Sequence, residues 1–194
     1  SWWYELKHAI ADKLIFSKWR AGIGGDFDIV VSGGSAIKPE MSRFFSGIGM
    51  PVYEGYGLSE TSPVIAVCHR EPETRKAGYV GIALSGVEIK LDENTNEICC
   101  RGHNVMLGYY KDEEKTREAI DAEGWFHTGD TGEMDGARLK ITGRIKSLFK
   151  TSFGKYINPE ALEEKFCESP FIANMMVVGE NQKFAAAVIA PDFE

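Results

Sequence analysis

The chain has 194 residues with a formal net charge of −7, 43% hydrophobic and 26% charged, the balance of a globular protein with ample core. The acidic balance argues against a nucleic-acid footprint, and there is neither an apolar run long enough to span a bilayer nor a signal peptide. Cys68, Cys99, Cys100 and Cys167 lack metal-ligand spacing and a secreted-scaffold pattern, which fits reduced thiols in a cytoplasm.

Trp3, Leu6, Ile10 and Leu14 recur at helical spacing, with Glu5, Lys7, Asp12 and Lys13 largely outside the stripe. The pattern predicts an amphipathic helix packed on a sheet, with peripheral membrane contact as the alternative. Gly22, Gly24 and Gly25 close that region, and Phe27-Asp28-Ile29-Val30-Val31 predicts a buried strand. Lys38-Pro39-Glu40 opens a helix with proline in its first turn. Met41, Phe44, Phe45 and Ile48 are its expected buried face, and Gly47 and Gly49 its end. Pro51-Val52-Tyr53-Glu54 is the next strand, so strand, helix and strand form a parallel βαβ unit.

Thr61 to Val80 reads as a polar loop and a subdomain boundary. Beyond it Val87, Ile89 and Leu91 alternate with Glu88 and Lys90, and Asn94-Thr95-Asn96 turns the chain into Ile98-Cys99-Cys100. Asp112 is placed to cap a short helix, and Asp135-Gly136 to turn a hairpin. Asn158-Pro159-Glu160 starts a further helix, followed by strands over Met175 to Val178 and Phe184 to Ile189. The expected class is therefore α/β: a parallel βαβ portion over 1–78, an antiparallel barrel-like subdomain over 79–143, and the start of a small α+β lid over 144–194.

Chemistry concentrates in a few stretches. Ser32-Gly33-Gly34-Ser35 and Gly55-Tyr56-Gly57-Leu58-Ser59-Glu60 both follow the carboxyl ends of the parallel strands, where ligands bind in such sheets. Glycines admit close backbone approach, Tyr56 offers a flat ring, and Glu60 is a hard oxygen donor of the kind Mg²⁺ prefers. Together they suit a purine nucleotide with its metal; a plain turn with Tyr56 in a core is the alternative. In Gly124-Trp125-Phe126-His127-Thr128-Gly129-Asp130, the Asp130 carboxylate suits two vicinal hydroxyls or a turn cap. His127, with no partner carboxylate or nucleophile in view, reads as a packed structural histidine. Thr142-Gly143-Arg144-Ile145-Lys146, then Lys150 and Ser152-Phe153-Gly154-Lys155, read by themselves as a solvated face.

These segments, in this order, resemble those of the AMP-forming acyl-CoA synthetases, and Gly102 to Tyr110 with Phe149 to Ile157 resemble the long-chain fatty acid–CoA ligase branch. The resemblance implies a ligase that turns a fatty acid and ATP into an acyl-adenylate and passes the acyl group to coenzyme A. It implies Gly33, Gly34 and Ser35 beside adenine, Gly55, Tyr56 and Gly57 near it, Ser59 at the phosphates and Glu60 on Mg²⁺. Asp130 then takes the ribose, Arg144 the ribose or phosphate and Lys146 a hinge, while Lys150 and Gly154 lie on the coenzyme A side. Phe153 departs from the frequent Ser-Gly-Gly-Lys pattern there. The family's triphosphate loop and its C-terminal lysine have no counterpart here, so a fragment inactive by itself is expected. A nucleotide-binding module without turnover, and a ligase loading a carrier protein, are the other readings.

Overall fold

The computed structural model describes residues 2–25 and 29–193. The chain divides into one unit of Ser1–Val87, His103–Met106 and Met134–Lys140, and another of Glu88–Gly102, Leu107–Glu133 and Ile141–Glu194.

In the first unit, α1 (Trp2–Ala11) runs through a π turn (Asp12–Phe16) into α2 (Ser17–Gly22). Its docking face is not the predicted stripe. Trp3, Leu6, Ile10 and Leu14 are all exposed. Instead His8 Nε2 meets the Gly47 carbonyl at 2.7 Å, Arg20 donates to the Ile48 carbonyl, and the Trp19 ring lies 6.0 Å from that of Phe44. No residue of α1, of the π turn or of α2 is buried, so these contacts, and not an apolar face, attach the helix. No helix among the described residues is long and apolar enough to cross a membrane.

Next come β1 (Val30–Ser32), α3 (Pro39–Gly47) and β2 (Val52–Tyr56), with β1 parallel to β2 and Ser32 opposite Glu54. Pro39 stands at the first helical position and Gly49 takes φ +80° just past the end, as the sequence predicts. The predicted burial is corrected in two places. Val31 is exposed, so β1 is not a buried strand, and Phe27 and Asp28 lie outside the described residues. On α3, Met41 and Phe44 are exposed, whereas Ser42 and the following Ile48 are buried.

The predicted polar loop from Thr61 to Val80 is also corrected, because it hides a strand that pairs with another just beyond its end. β3 (Ala66–Val67) pairs antiparallel with β2, and β4 (Ile82–Ala83) with β3. Ile65 and Ala66 are completely buried, and two- and three-residue runs are too short to announce a period.

A half-barrel sheet orders β5 (Val87–Leu91), β6 (Glu97–Gly102), β7 (Phe126–Asp135) and β8 (Arg138–Arg144), with β6 antiparallel to β7. The hairpin turn is Gly136-Ala137, one residue later than predicted, because Asp135 closes β7 and pairs with Lys76 at 2.8 Å and Arg138 at 2.9 Å. Before β7, α4 (Glu113–Ala119) is capped by Asp112, whose carboxylate accepts the Lys115 amide. That bond, with the Lys115 charge, holds Asp112 below the usual carboxylate range. After β8 come β9 (Phe149–Lys150) and β10 (Tyr156–Ile157), then α5 (Pro159–Phe166) capped by Asn158 as predicted, then the antiparallel pair β11 (Ile172–Val178) and β12 (Ala186–Pro191).

Candidate functional site

Parallel pairing of β1 and β2 brings their two following loops together. A side chain added at Gly33 would stand 3.7 Å from the Gly55 carbonyl, so the two glycine-rich stretches are neighbours, and Gly33, Gly34 and Ser35 are all exposed. Gly34 takes φ +80°, a conformation that favours glycine.

The turn from Gly57 to Thr61 has a different logic. A Cβ on Gly57 would lie 1.9 Å from the Pro63 carbonyl and 2.7 Å from Val64 Cα, so this glycine exists because the chain doubles back on itself. Thr61 is completely buried, and its hydroxyl accepts the Leu58 amide at 2.9 Å while donating to the Leu58 carbonyl. Tyr56 is only 8% exposed, which makes it a core ring with an edge to offer rather than an open platform. Ser59 is exposed and Glu60 half-buried on the short 3₁₀ turn Ser59–Thr61. The Glu60 carbonyl accepts the Met106 amide at 2.8 Å, and Asn104 donates to the Val64 carbonyl at 2.9 Å. The segment His103–Met106 thus buttresses this turn, a long-range contact with no local sequence signal.

In the second unit, two predicted residues meet. Arg144 Nε lies 3.2 Å from Asp130 Oδ1, with the Asp130 side chain 9% exposed and that of Arg144 69%. One partner is anchored and the other reaches into solvent. Asn158 donates to the Thr142 carbonyl at 2.7 Å, and a Cβ on Gly143 would fall 2.3 Å from that amide nitrogen. The glycine between Thr142 and Arg144 therefore makes room for the cap of α5.

Asp130 sits in a break of the ladder. Glu97 is opposite Thr131 and Cys99 opposite His127, so Ile98 alone faces Thr128, Gly129 and Asp130. Glu97 fills the gap: Oε1 accepts the Gly129 amide at 2.9 Å and Oε2 lies 3.0 Å from His127 Nδ1. His127 Nε2 lies 3.6 Å from the Asp121 carboxylate. The sequence reading found no partner for His127, and this corrects it. The missed signal is an acid heading the apolar run Ile98-Cys99-Cys100, since a carboxylate entering a core needs a donor.

Cys99 Sγ is 3.6 Å from His127 Nδ1, so donor atoms of Glu97, Cys99 and His127 gather within 4.8 Å. Both Glu97 oxygens are already engaged, and burial, helped by Glu97, pushes the Cys99 thiol up to about 11, which keeps it protonated. The trio is a hydrogen-bonded cluster. Both Cys99 and Cys100 are fully buried.

Lys150, on β9, holds its ammonium over the Tyr156 ring at 5.3 Å. Gly154 takes φ +83° in the adjoining turn, where its amide donates to the Thr151 carbonyl at 2.8 Å and a Cβ would lie 3.6 Å from Lys150 Cε. Lys150 and Gly154 are thus neighbours, and Phe153 beside them is exposed. The side chain of Lys146 lies outside the described part of the chain. Elsewhere in the first unit, a pocket of about 390 Å³ is lined by Ser42, Glu54, Cys68 and Arg75, and none of the predicted site residues borders it. Burial pushes the Glu54 carboxyl up, against hydrogen bonds from the Gly78 backbone and Ser42.

The family model described as AMP-binding enzyme matches residues 6–110. The chain is 39% identical to fatty acyl-CoA synthetase A of Dictyostelium discoideum, covering 95% of this chain and 30% of that protein. It is 39% identical to the long-chain-fatty-acid–CoA ligase FadD15 of Mycobacterium bovis, over 98% of this chain and 31% of the relative. Among solved structures, it is similar to the O-succinylbenzoate coenzyme A synthetase MenE of Bacillus subtilis in complex with ATP and magnesium ion. That likeness has a TM-score of 0.71 and 26% identity, over 84% of this chain and 36% of that one. The chain thus spans about 30% of the length of the curated relatives it matches.

Proposed function

Because this chain belongs to the family of AMP-binding enzymes, we propose that it is part of a long-chain fatty acid–CoA ligase and carries groups for its adenylate. The reaction has two displacements. The fatty acid carboxylate attacks the α-phosphorus of ATP and pyrophosphate leaves, giving the acyl-adenylate. The thiol of coenzyme A then attacks the acyl carbon, loses its proton, and expels AMP.

The observation that carries the reading is the pair Asp130 and Arg144: a nearly buried carboxylate 3.2 Å from an exposed guanidinium. A fixed acceptor of this kind suits the two hydroxyls of a ribose, and Arg144 has the reach and permanent charge to follow ribose or phosphate oxygens. Exposed Gly33, Gly34 and Ser35 beside Gly55 offer backbone to adenine, with Tyr56 at its edge. Ser59 serves the phosphates. Glu60, on a turn held at Thr61 and Met106, is the residue to hold Mg²⁺, whose charge would stabilise the transferring phosphoryl oxygens. Lys150 and Gly154 serve the coenzyme A side, with Lys146 at a hinge.

Activation at phosphorus is positioning and charge stabilisation, which explains cations and a metal ligand rather than a general base. The decisive test is calorimetric titration with AMP and Mg²⁺ of wild type against Asp130→Ala. Binding abolished by the substitution is expected; equal binding by both proteins overturns the ribose assignment.

A further inference from the structure

We propose that Glu97 is the positioning residue for Asp130, acting through the Gly129 amide and through His127. The inference deepens the ribose assignment made above and rests on it.

The argument starts from the ladder. Between the pairs Glu97–Thr131 and Cys99–His127, one residue of β6 faces three of β7, so the regular exchange of backbone hydrogen bonds cannot continue across Thr128-Gly129-Asp130. A stretch in this state needs its amides satisfied by other means, and it has the freedom to move if they are not. Gly129 adds to that freedom. It takes φ +74°, and no atom stands within 4 Å of where its Cβ would be, so packing does not hold it.

Side chains replace the missing ladder. The Thr128 hydroxyl donates to the Ile98 carbonyl at 2.7 Å and accepts the Asp130 amide at 3.1 Å. The Gly129 amide goes to Glu97 Oε1 at 2.9 Å. A hydrogen bond to an ionised carboxylate is about twice as strong as a neutral one. The carboxylate is itself held: Oε2 meets His127 Nδ1 at 3.0 Å, and the far side of that ring faces Asp121, whose carboxylate accepts the Glu123 and Trp125 amides. Glu97, which the sequence reading overlooked, thereby fixes both residues that flank Thr128. It acts on Asp130 through the backbone at Gly129. The Asp130 carboxylate is aimed, and its contact with Arg144 set, by a residue on the neighbouring strand.

The test uses the full-length protein and compares ATP with 2′,3′-dideoxy-ATP in fatty-acid-dependent pyrophosphate exchange. Wild type is expected to prefer ATP because Asp130 reads both hydroxyls. Glu97→Ala is expected to raise KM for ATP about tenfold or more. KM for the dideoxy nucleotide should stay nearly unchanged, so that discrimination collapses, and the substitution should add nothing on top of Asp130→Ala. Glu97→Gln keeps an oxygen for the Gly129 amide and is expected to retain most of the preference. If Glu97→Ala does not fold, Thr128→Val reads the same discrimination. Equal losses on both nucleotides mean a general structural role and overturn the proposal. A Glu97→Ala enzyme that discriminates like wild type overturns it too, leaving the ribose assignment standing. A wild type indifferent to the diol removes that assignment itself.

Discussion

The turn Gly57–Thr61 and the ladder break Thr128–Asp130 look alike in sequence, since both mix glycine, hydroxyls and one acid. They are built in opposite ways. In the turn, groups suited to a ligand are spent on the fold: Gly57 makes room for the Pro63 carbonyl, and the Thr61 hydroxyl closes on Leu58. In the break, Glu97, which the sequence does not single out, and His127, which reads as a packed histidine, bond to each other, and Glu97 also takes the Gly129 amide next to Asp130. Composition tells where a chain bends sharply. Which groups remain for a ligand depends on which partners the tertiary fold supplies.

The most forceful way to break this contrast is Gly57→Ala. The new Cβ meets main chain at 1.9 and 2.7 Å, and backbone cannot rotate away as a side chain tip can. The expected loss is about 3 kcal/mol or more in urea denaturation. A loss of only a few tenths would return Gly57 to the role of a ligand-approach glycine. Thr61→Val comes next. It keeps shape but leaves the half-buried Leu58 amide without its acceptor, for an expected cost of about 1–3 kcal/mol. Thr61→Ser, which keeps the hydroxyl, is expected to cost about 1 kcal/mol through the lost methyl. Were valine no worse than serine, that hydroxyl would be available to a nucleotide after all.

The opposite region is sharpened by pH. Burial pushes the Cys99 thiol up to about 11, with the Glu97 charge adding to it, and the Cys100 thiol up to about 12. In the unfolded chain such thiols ionise near pH ~8.5. Above that value the unfolded state has lost protons that the folded state keeps, so the contribution is full below about pH 8.5 and falls as pH rises towards the folded values. The slope is about 1.4 kcal/mol per pH unit for each thiol. Cys100→Ala should therefore flatten the alkaline decline of stability by one thiol's share, whatever it costs at neutral pH through the cavity. An unchanged slope would mean that the thiol is not shielded as the structure requires.

What was legible in the sequence was local. Asp112 and Asn158 announce helix starts because a cap accepts an amide three residues away, and Pro39 because its fixed φ suits the first helical position. Parallel β1 and β2 follow from strand, helix and strand in so short a span. The stripe on α1 misled because periodicity shows that a helix is amphipathic without showing what covers its apolar face, and Trp3, Leu6 and Ile10 are exposed. β3 stayed hidden because two residues have no period, although Ile65 and Ala66 are completely buried. In the site, the contact of Asp130 with Arg144 joins two residues that were each singled out, whereas Glu97 went unseen. Its partners lie 30 and 32 positions away across a ladder break, a register that no spacing rule encodes.

Gly143→Ala is the mildest probe, and it asks whether the second region resembles the first after all. Gly143 and Gly57 are both crowded, but the obstacle at Gly143 is the end of a side chain, the Asn158 amide at 2.3 Å. That amide can swing aside. In doing so it gives up its bond to the Thr142 carbonyl and its cap on the Ala161 amide, for a cost of about 1 kcal/mol on top of the strain of a side chain at φ +157°. Asn158→Ala should cost about 1 kcal/mol alone, and adding it to Gly143→Ala little more, because both changes remove the same two bonds. Additive losses would place the strain of Gly143→Ala in the backbone. Thr142 and Arg144 would then be held as rigidly as the turn at Gly57, and the guanidinium facing Asp130 would owe its place to the main chain rather than to the cap of α5.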